Sequence, residues 1–167
     1  MSSAYSGAKN YTKALEVFKA FIDKGDYVTN DLVTLANRYQ NVAATSEAGS
    51  PEKADAINNA IATIDMVIEK VPGNPIPVRN KARMYLVKND NKPSVEMADT
   101  YKEVETILDA DPENKTKRFD MYNEVYQQIA SYYISEKDIP AAKAYYEKMY
   151  ELDPSNQALR DYIDKMK

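Results

Sequence analysis

Residues 126–154 run YQQIASYYISEKDIPAAKAYYEKMYELDP. Tyr126, Ile129, Ala130 and Tyr133 recur at three-to-four spacing, so they lie on one face of a helix. Asp138-Ile139 form a turn. Pro140 then opens a second run, at a position where a missing N–H costs nothing. Ala142, Tyr145, Tyr146, Met149 and Tyr150 make the stripe of that run, and Pro154 stops it. A helix, a tight turn and a returning helix form a hairpin that buries one apolar seam.

The same ending recurs upstream. Pro72, Pro112 and Pro154 each close an apolar helical stretch, at spacings of 40 and 42 residues. A fixed recurrence of this length is the mark of stacked helical hairpins. Periodicity and punctuation together predict helices over 10–24, 29–44, 51–71, 76–89, 94–110, 115–135, 139–152 and 156–166. Pro51, Pro75, Pro77, Pro93 and Pro140 open runs, and Gly25, Gly49 and Gly73 sit in gaps between them. No segment alternates strictly over β-branched residues, so strands are not expected. The stretch Thr45–Ser50 is the most polar connector.

Composition narrows the chemistry. The 167 residues are 44% hydrophobic and 29% charged, which suits a globular chain. A net charge of -4 argues against nucleic acid or an anionic membrane as the main partner. Cysteine and histidine are both absent. That removes disulfides, thiolate nucleophiles, the usual zinc ligand sets and imidazole acid–base chemistry. Missing cysteine suits cytoplasm and bacterial periplasm equally, so the compartment stays open. No apolar run approaches the ~20 residues of a membrane span. Tyrosine is over-used, with 14 residues against 3 Phe and no Trp. It suits helices that pack through rings whose hydroxyls reach polar partners.

These hairpins resemble the tetratricopeptide repeat, whose first helix follows W-x2-L-G-x2-Y and whose second follows A-x3-F and then proline. Tyr126, Ile129, Ala130 and Tyr133 take the first-helix places; Ala142, Tyr146 and Pro154 take the second-helix places. One repeat back stand Val78, Lys81, Ala82 and Tyr85, then Thr100, Val104 and Pro112. Lys81 departs from the pattern, since an apolar residue is expected there. Before that come Leu32, Leu35, Ala36 and Tyr39, then Ala60, Ile64 and Pro72. Earliest are Asn10-Tyr11 in the turn, then Ala14, Phe18 and Asp26 in place of proline. The small residues let paired helices approach, and the large ones fill the grooves between them. The family unit is 34 residues, so these repeats are stretched. The extra residues are expected in the Asn41–Ser50 loop, the Asn89–Lys92 turn and a lengthened helix starting near Lys115.

The resemblance implies an all-α, right-handed α-solenoid of antiparallel hairpins, with about three and a half repeats and a capping helix. As one repeat domain over 1–167, it divides into a partial repeat over 1–28, repeats over 29–74, 75–114 and 115–154, and a cap over 155–167. Tyr5 stands 34 residues before Tyr39 and aligns with the last first-helix place of an earlier repeat. The expectation is therefore the C-terminal part of a longer array, with Met1 an added start.

In this family the first helices line a concave groove that receives peptide. Carried over, that groove presents Asn30, Val33, Thr34, Asn37 and Gln40 from one repeat, Ile76, Arg79, Asn80, Arg83 and Leu86 from the next, and Glu124, Gln127, Gln128, Ser131 and Ile134 from the third; Asn37, Arg79, Asn80, Arg83, Gln127 and Gln128 are the expected peptide contacts. Asn37 and Asn80 fall on the asparagine places of a subgroup that grips a terminal carboxylate. Val33, Glu124 and Gln128 fall where its cations should be, which argues against that clamp. Asp109, Asp111 and Glu113 look like the opening of a calcium loop, but the glycine and the closing bidentate glutamate are missing. Asn10-Tyr11-Thr12 and Asn114-Lys115-Thr116 fit a glycosylation sequon short enough to arise by chance. Tyr132-Tyr133 and Tyr145-Tyr146 could stack sugars or bases, although helix packing explains them better.

The expected function is non-catalytic binding of a protein or peptide, with no cofactor, no metal and no nucleic acid. The alternatives are a carbohydrate-binding or enzyme-associated helical domain, and a structural array that self-associates through its open N-terminal face.

Overall fold

Ser50 precedes Pro51, and its hydroxyl accepts from the Lys53 amide at 3.2 Å. That cap and the proline start α3, Pro51–Lys70. Before it lie α1, Tyr11–Ile22, and α2, Thr29–Thr45; after it comes α4, Pro75–Lys88. Asp31 reaches back to accept from the Val28 amide at 2.9 Å and so closes the first turn of α2. Gly73, at φ 78°, turns the chain from α3 into α4, a conformation that a Cβ disfavours even though open space surrounds it. The computed structural model describes residues 11–25 and 27–166, without the side chains of Tyr11, Thr12 and Ala14. Tyr5, Asn10, Asp26 and the Ala14 side chain, which carried the readings at the N-terminus, lie outside the described residues.

The second half contains α5, Val95–Asp109; a short α6, Asn114–Lys117; α7, Phe119–Ser135; α8, Ile139–Leu152; and α9, Gln157–Lys165. Ser94, Asp138 and Asn156 cap α5, α8 and α9 by accepting from backbone amides. Each such cap contributes about 1 kcal/mol. Pro93 lies just before the α5 cap. Every regular element among the described residues is a helix, and the chain is an all-α fold of the α-solenoid class. Helix ends agree with the sequence reading within two residues, except at one place.

That place is the helix expected over 115–135. It breaks at Arg118, which takes φ -128° and ψ 33°, and becomes α6 and α7. Two tethers hold the segments on either side of the break. The Asn114 side chain donates to the Leu108 carbonyl at 3.0 Å, holding α6 to the end of α5. The Tyr122 hydroxyl donates to Asp109 at 2.8 Å, drawing α7 to the same helix end. A straight helix would have to satisfy both tethers at once, and the chain bends instead.

The chain forms two compact units, Met1–Lys88 and Asn89–Lys167. In the first, α2 packs on α1 and α3, and α3 packs on α4. Leu32, Ala36, Ala60, Ile64 and Val67 are buried in its core. Burying an aliphatic side chain such as Leu32 contributes about 1.5–3 kcal/mol. Lys81, out of place in the repeat pattern, pairs with Asp65 of α3 at 2.7 Å. The departure becomes a tie between α3 and α4, worth under about 1 kcal/mol because both partners reach solvent.

In the second unit α7 packs on α5 and α8, and α8 on α9. Glu105 of α5 is nearly buried and is held from α8. Lys148 donates to it at 2.6 Å, and the Tyr145 hydroxyl donates at 3.3 Å. The Lys148 ammonium also sits 4.6 Å above the Tyr145 ring and 5.5 Å above Tyr126. The two partners differ in their escape routes. Lys148 is 41% exposed and can swing into water, whereas Glu105 is only 11% exposed. Lys148→Met therefore strands a buried carboxylate and costs about 2 kcal/mol or more, while Glu105→Gln costs under about 1 kcal/mol. Urea unfolding of the two variants checks this order; equal losses would contradict it.

Candidate functional site

The first unit contains a cavity of about 310 Å³. Three stretches build it: one face of α2, the C-terminal end of α3 with the turn that follows, and the first turns of α4. Ala36, Ile64, Val67 and Pro77 are buried and form its floor. Ala36 is a small residue at the α2–α3 packing, and its short side chain leaves room above it. Val33 and Ile76 line the cavity while staying 37% and 41% exposed, so its mouth is apolar and open to solvent. Thr29 and Val71 also line it, with five side-chain amides: Asn30, Asn37 and Gln40 from α2, Asn74 from the turn, and Asn80 from α4. Asn74 is oriented by accepting from the Ile76 amide at 3.0 Å. Among the described residues, no hydrogen bond engages the side-chain amides of Asn37 and Asn80.

Of the six expected peptide contacts the cavity brings together Asn37 and Asn80, with Asn30, Val33, Gln40 and Ile76 of the same expected groove. Arg79 and Arg83 are not among its lining residues. Arg79 is half-buried and Arg83 is exposed on α4. Gln127 and Gln128 belong to α7 in the second unit, the first exposed and the second half-buried. Glu124, on the same helix, accepts from the Tyr101 hydroxyl at 2.9 Å. Sequence reasoning missed the floor. Ile64 and Val67 read there only as part of the buried stripe of α3, and spacing along one helix carries no signal of a space beside it.

The acidic run at the end of α5 works as a helix terminus. Asp109 accepts from Tyr122, Asp111 accepts from the Glu113 amide at 3.0 Å, and Glu113 pairs with Lys117. Asn114 of the second sequon is half-buried and spends its amide on Leu108.

The tyrosines pack against each other. Tyr145 stacks on Tyr133 at 5.9 Å and lies 6.0 Å from Tyr126; Tyr146 meets Tyr162 of α9 edge-on at 5.1 Å. Tyr133 and Tyr146 are half-buried rather than fully enclosed. Burial pushes the Tyr122, Tyr126 and Tyr145 hydroxyls well above the usual phenol range. The hydrogen bond to Asp109 adds to the rise at Tyr122, and the charge of Glu105 adds to it at the other two. These hydroxyls stay protonated near neutral pH, and those of Tyr122 and Tyr145 donate to Asp109 and Glu105. None of them lines the cavity.

Residues 124–156, covering most of α7 and all of α8, match the tetratricopeptide repeat family. The crystal structure of the C-terminal part of a TPR repeat-containing protein from Cytophaga hutchinsonii superposes with a TM-score of 0.74 at 18% identity. Those residues match a single tetratricopeptide repeat, and the fold of the whole chain is similar to that of the Cytophaga protein. That alignment covers 96% of this chain but only 56% of the Cytophaga one. A thermophilic TPR protein from Thermus thermophilus aligns over 99% of this chain and 94% of its own, with a TM-score of 0.43 at 14% identity. No curated protein sequence gives a significant match. Among the described residues, no helix is long and apolar enough to cross a membrane.

The tyrosine hydroxyls make alkaline stability a test of the second unit. The unfolded chain releases tyrosine protons near the ordinary value of 10.0, while the folded chain still holds them. Their contribution to stability is therefore full below pH 10 and falls as pH rises above it. Tyr126→Phe removes one such proton and should shrink the loss between about pH 9 and about pH 11. Urea titrations at both values measure it; an unchanged loss would contradict the assignment.

Proposed function

We propose that this chain is a non-catalytic binding module that holds a short segment of a protein partner in the α2–α4 cavity. The tetratricopeptide fold supports protein binding in general. The observation that carries the finer reading is the lining itself: a buried aliphatic floor with amides around it, on the helices where sequence placed the groove. A pocket that is mostly apolar with a few polar groups is the usual form of a ligand site. Asn37 and Asn80 supply donors and acceptors that can read a main chain, and Ala36, Ile64 and Val67 supply a seat for one side chain. The size fits a short extended segment. The sugar-binding alternative has no support from the cavity, because among the described residues no aromatic ring lines it for stacking.

Selection from a displayed random-peptide library, followed by methyl NMR of the bound chain, tests this reading. Selected peptides should shift the methyl signals of Val33, Ile64, Val67 and Ile76. Asn37→Ala/Asn80→Ala should weaken them at least about tenfold, equivalent to roughly 1.4 kcal/mol, while Arg83→Ala should leave affinity nearly unchanged. Peptides that bind without moving those methyls would contradict the assignment.

A further inference from the structure

We infer that the α2–α4 cavity selects an uncharged internal stretch of polypeptide: an aliphatic side chain on the floor, flanked by main-chain peptide groups on the amide rim. This deepens the reading of the cavity as a partner site and rests on it.

Charge sets the selection. Charged residues make up 29% of the chain, yet among the described residues none of those lining the cavity is charged. A carboxylate or ammonium entering it would give up hydration and meet no opposite charge. Burying an ion without a partner is far more costly than burying a neutral group that is hydrogen-bonded. The Lys81–Asp65 pair that joins α3 to α4 contributes neither of its members to the lining. The cavity is therefore neutral where a clamp for a chain terminus would be cationic.

Hydrogen-bond complement narrows the choice further. Each asparagine or glutamine amide offers one carbonyl acceptor and an NH₂ donor. A peptide group offers the matching pair, one N–H and one C=O. A carboxylate offers acceptors only, so amide carbonyls brought against it would face no donor. With Asn37 on α2 and Asn80 on α4, two amides with open hydrogen-bonding capacity stand on two helices that line the cavity.

The mouth agrees with both. Val33 occupies the place where a carboxylate-gripping groove would carry a cation, and it lies exposed, as does Ile76 of the same lining. An aliphatic side chain entering past them keeps apolar contact from rim to floor.

Titrating the full chain with capped peptides, followed by methyl NMR, tests the inference. The reference probe is N-acetyl-Ala-Ala-Leu-Ala-Ala-amide. Comparison probes replace its leucine by glutamate or lysine, or leave the C-terminus as a free acid directly after leucine. The leucine amide should shift the Val33, Ile64, Val67 and Ile76 methyls. The three charged probes should bind at least about tenfold more weakly. Val33→Lys should reverse the order for the free acid. Charged probes that bind at the same methyls as tightly as the leucine amide would overturn the selectivity and leave the cavity as a partner site. No shift of those methyls with any probe would overturn both.

Discussion

Helices in this chain meet closely at alanine, and that contact sets the spacing of the packed elements. Ala60, Ala82, Ala130 and Ala142 are fully buried, and Ala36 is only 3% exposed. Each stands at a packing position where a larger side chain would force the helices apart. Overpacking at such a site costs about 1–3 kcal/mol. Large neighbours such as Leu32, Tyr101, Tyr122 and Ile129 then fill the space beside the contact. The alanines set how near the helices come, and the aromatic and aliphatic residues fix how they fit.

The cavity follows from the same rule. At Ala36 the short side chain faces the end of α3 and the start of α4, and nothing large closes the gap above it. The turn at Gly73 keeps α3 and α4 near each other, and the Lys81–Asp65 pair ties them. What results is an aliphatic floor ringed by amides. The second unit has a different character. There the side chains turn inward on one another, with Glu105, Lys148 and the tyrosine rings satisfying each other's polarity.

Much of this was legible in the chain. Proline and glycine punctuation marked the helix ends because their backbone limits act locally and are insensitive to tertiary context. Three-to-four spacing named Leu32, Ala36, Ile64 and Ile129 as buried for the same reason. The break at Arg118 was hidden, because it arises from tethers that Asn114 and Tyr122 make to α5. Glu105 was hidden too, since a carboxylate on a helix reads as solvated until its partners on α8 are in place. At the cavity, Asn37 and Asn80 were readable from their repeat positions. Arg79 precedes Asn80 by one residue, and one residue is about 100° around a helix. A face read from spacing alone admits such neighbours, while the lining of the α2–α4 cavity does not include Arg79. The floor residues from α3 could be named as core, but not as the base of a site, because that role needs the third element in position.

On the proposed reading, recognition happens over Ala36 and between Asn37 and Asn80. A cocrystal structure of the chain with a library-selected peptide tests this most directly. The expected result is an extended segment with an uncharged side chain against Ala36, Ile64 and Val67, and its peptide groups bonded to the two asparagine amides. A peptide seated elsewhere, or one that places a carboxylate in the cavity, would contradict it.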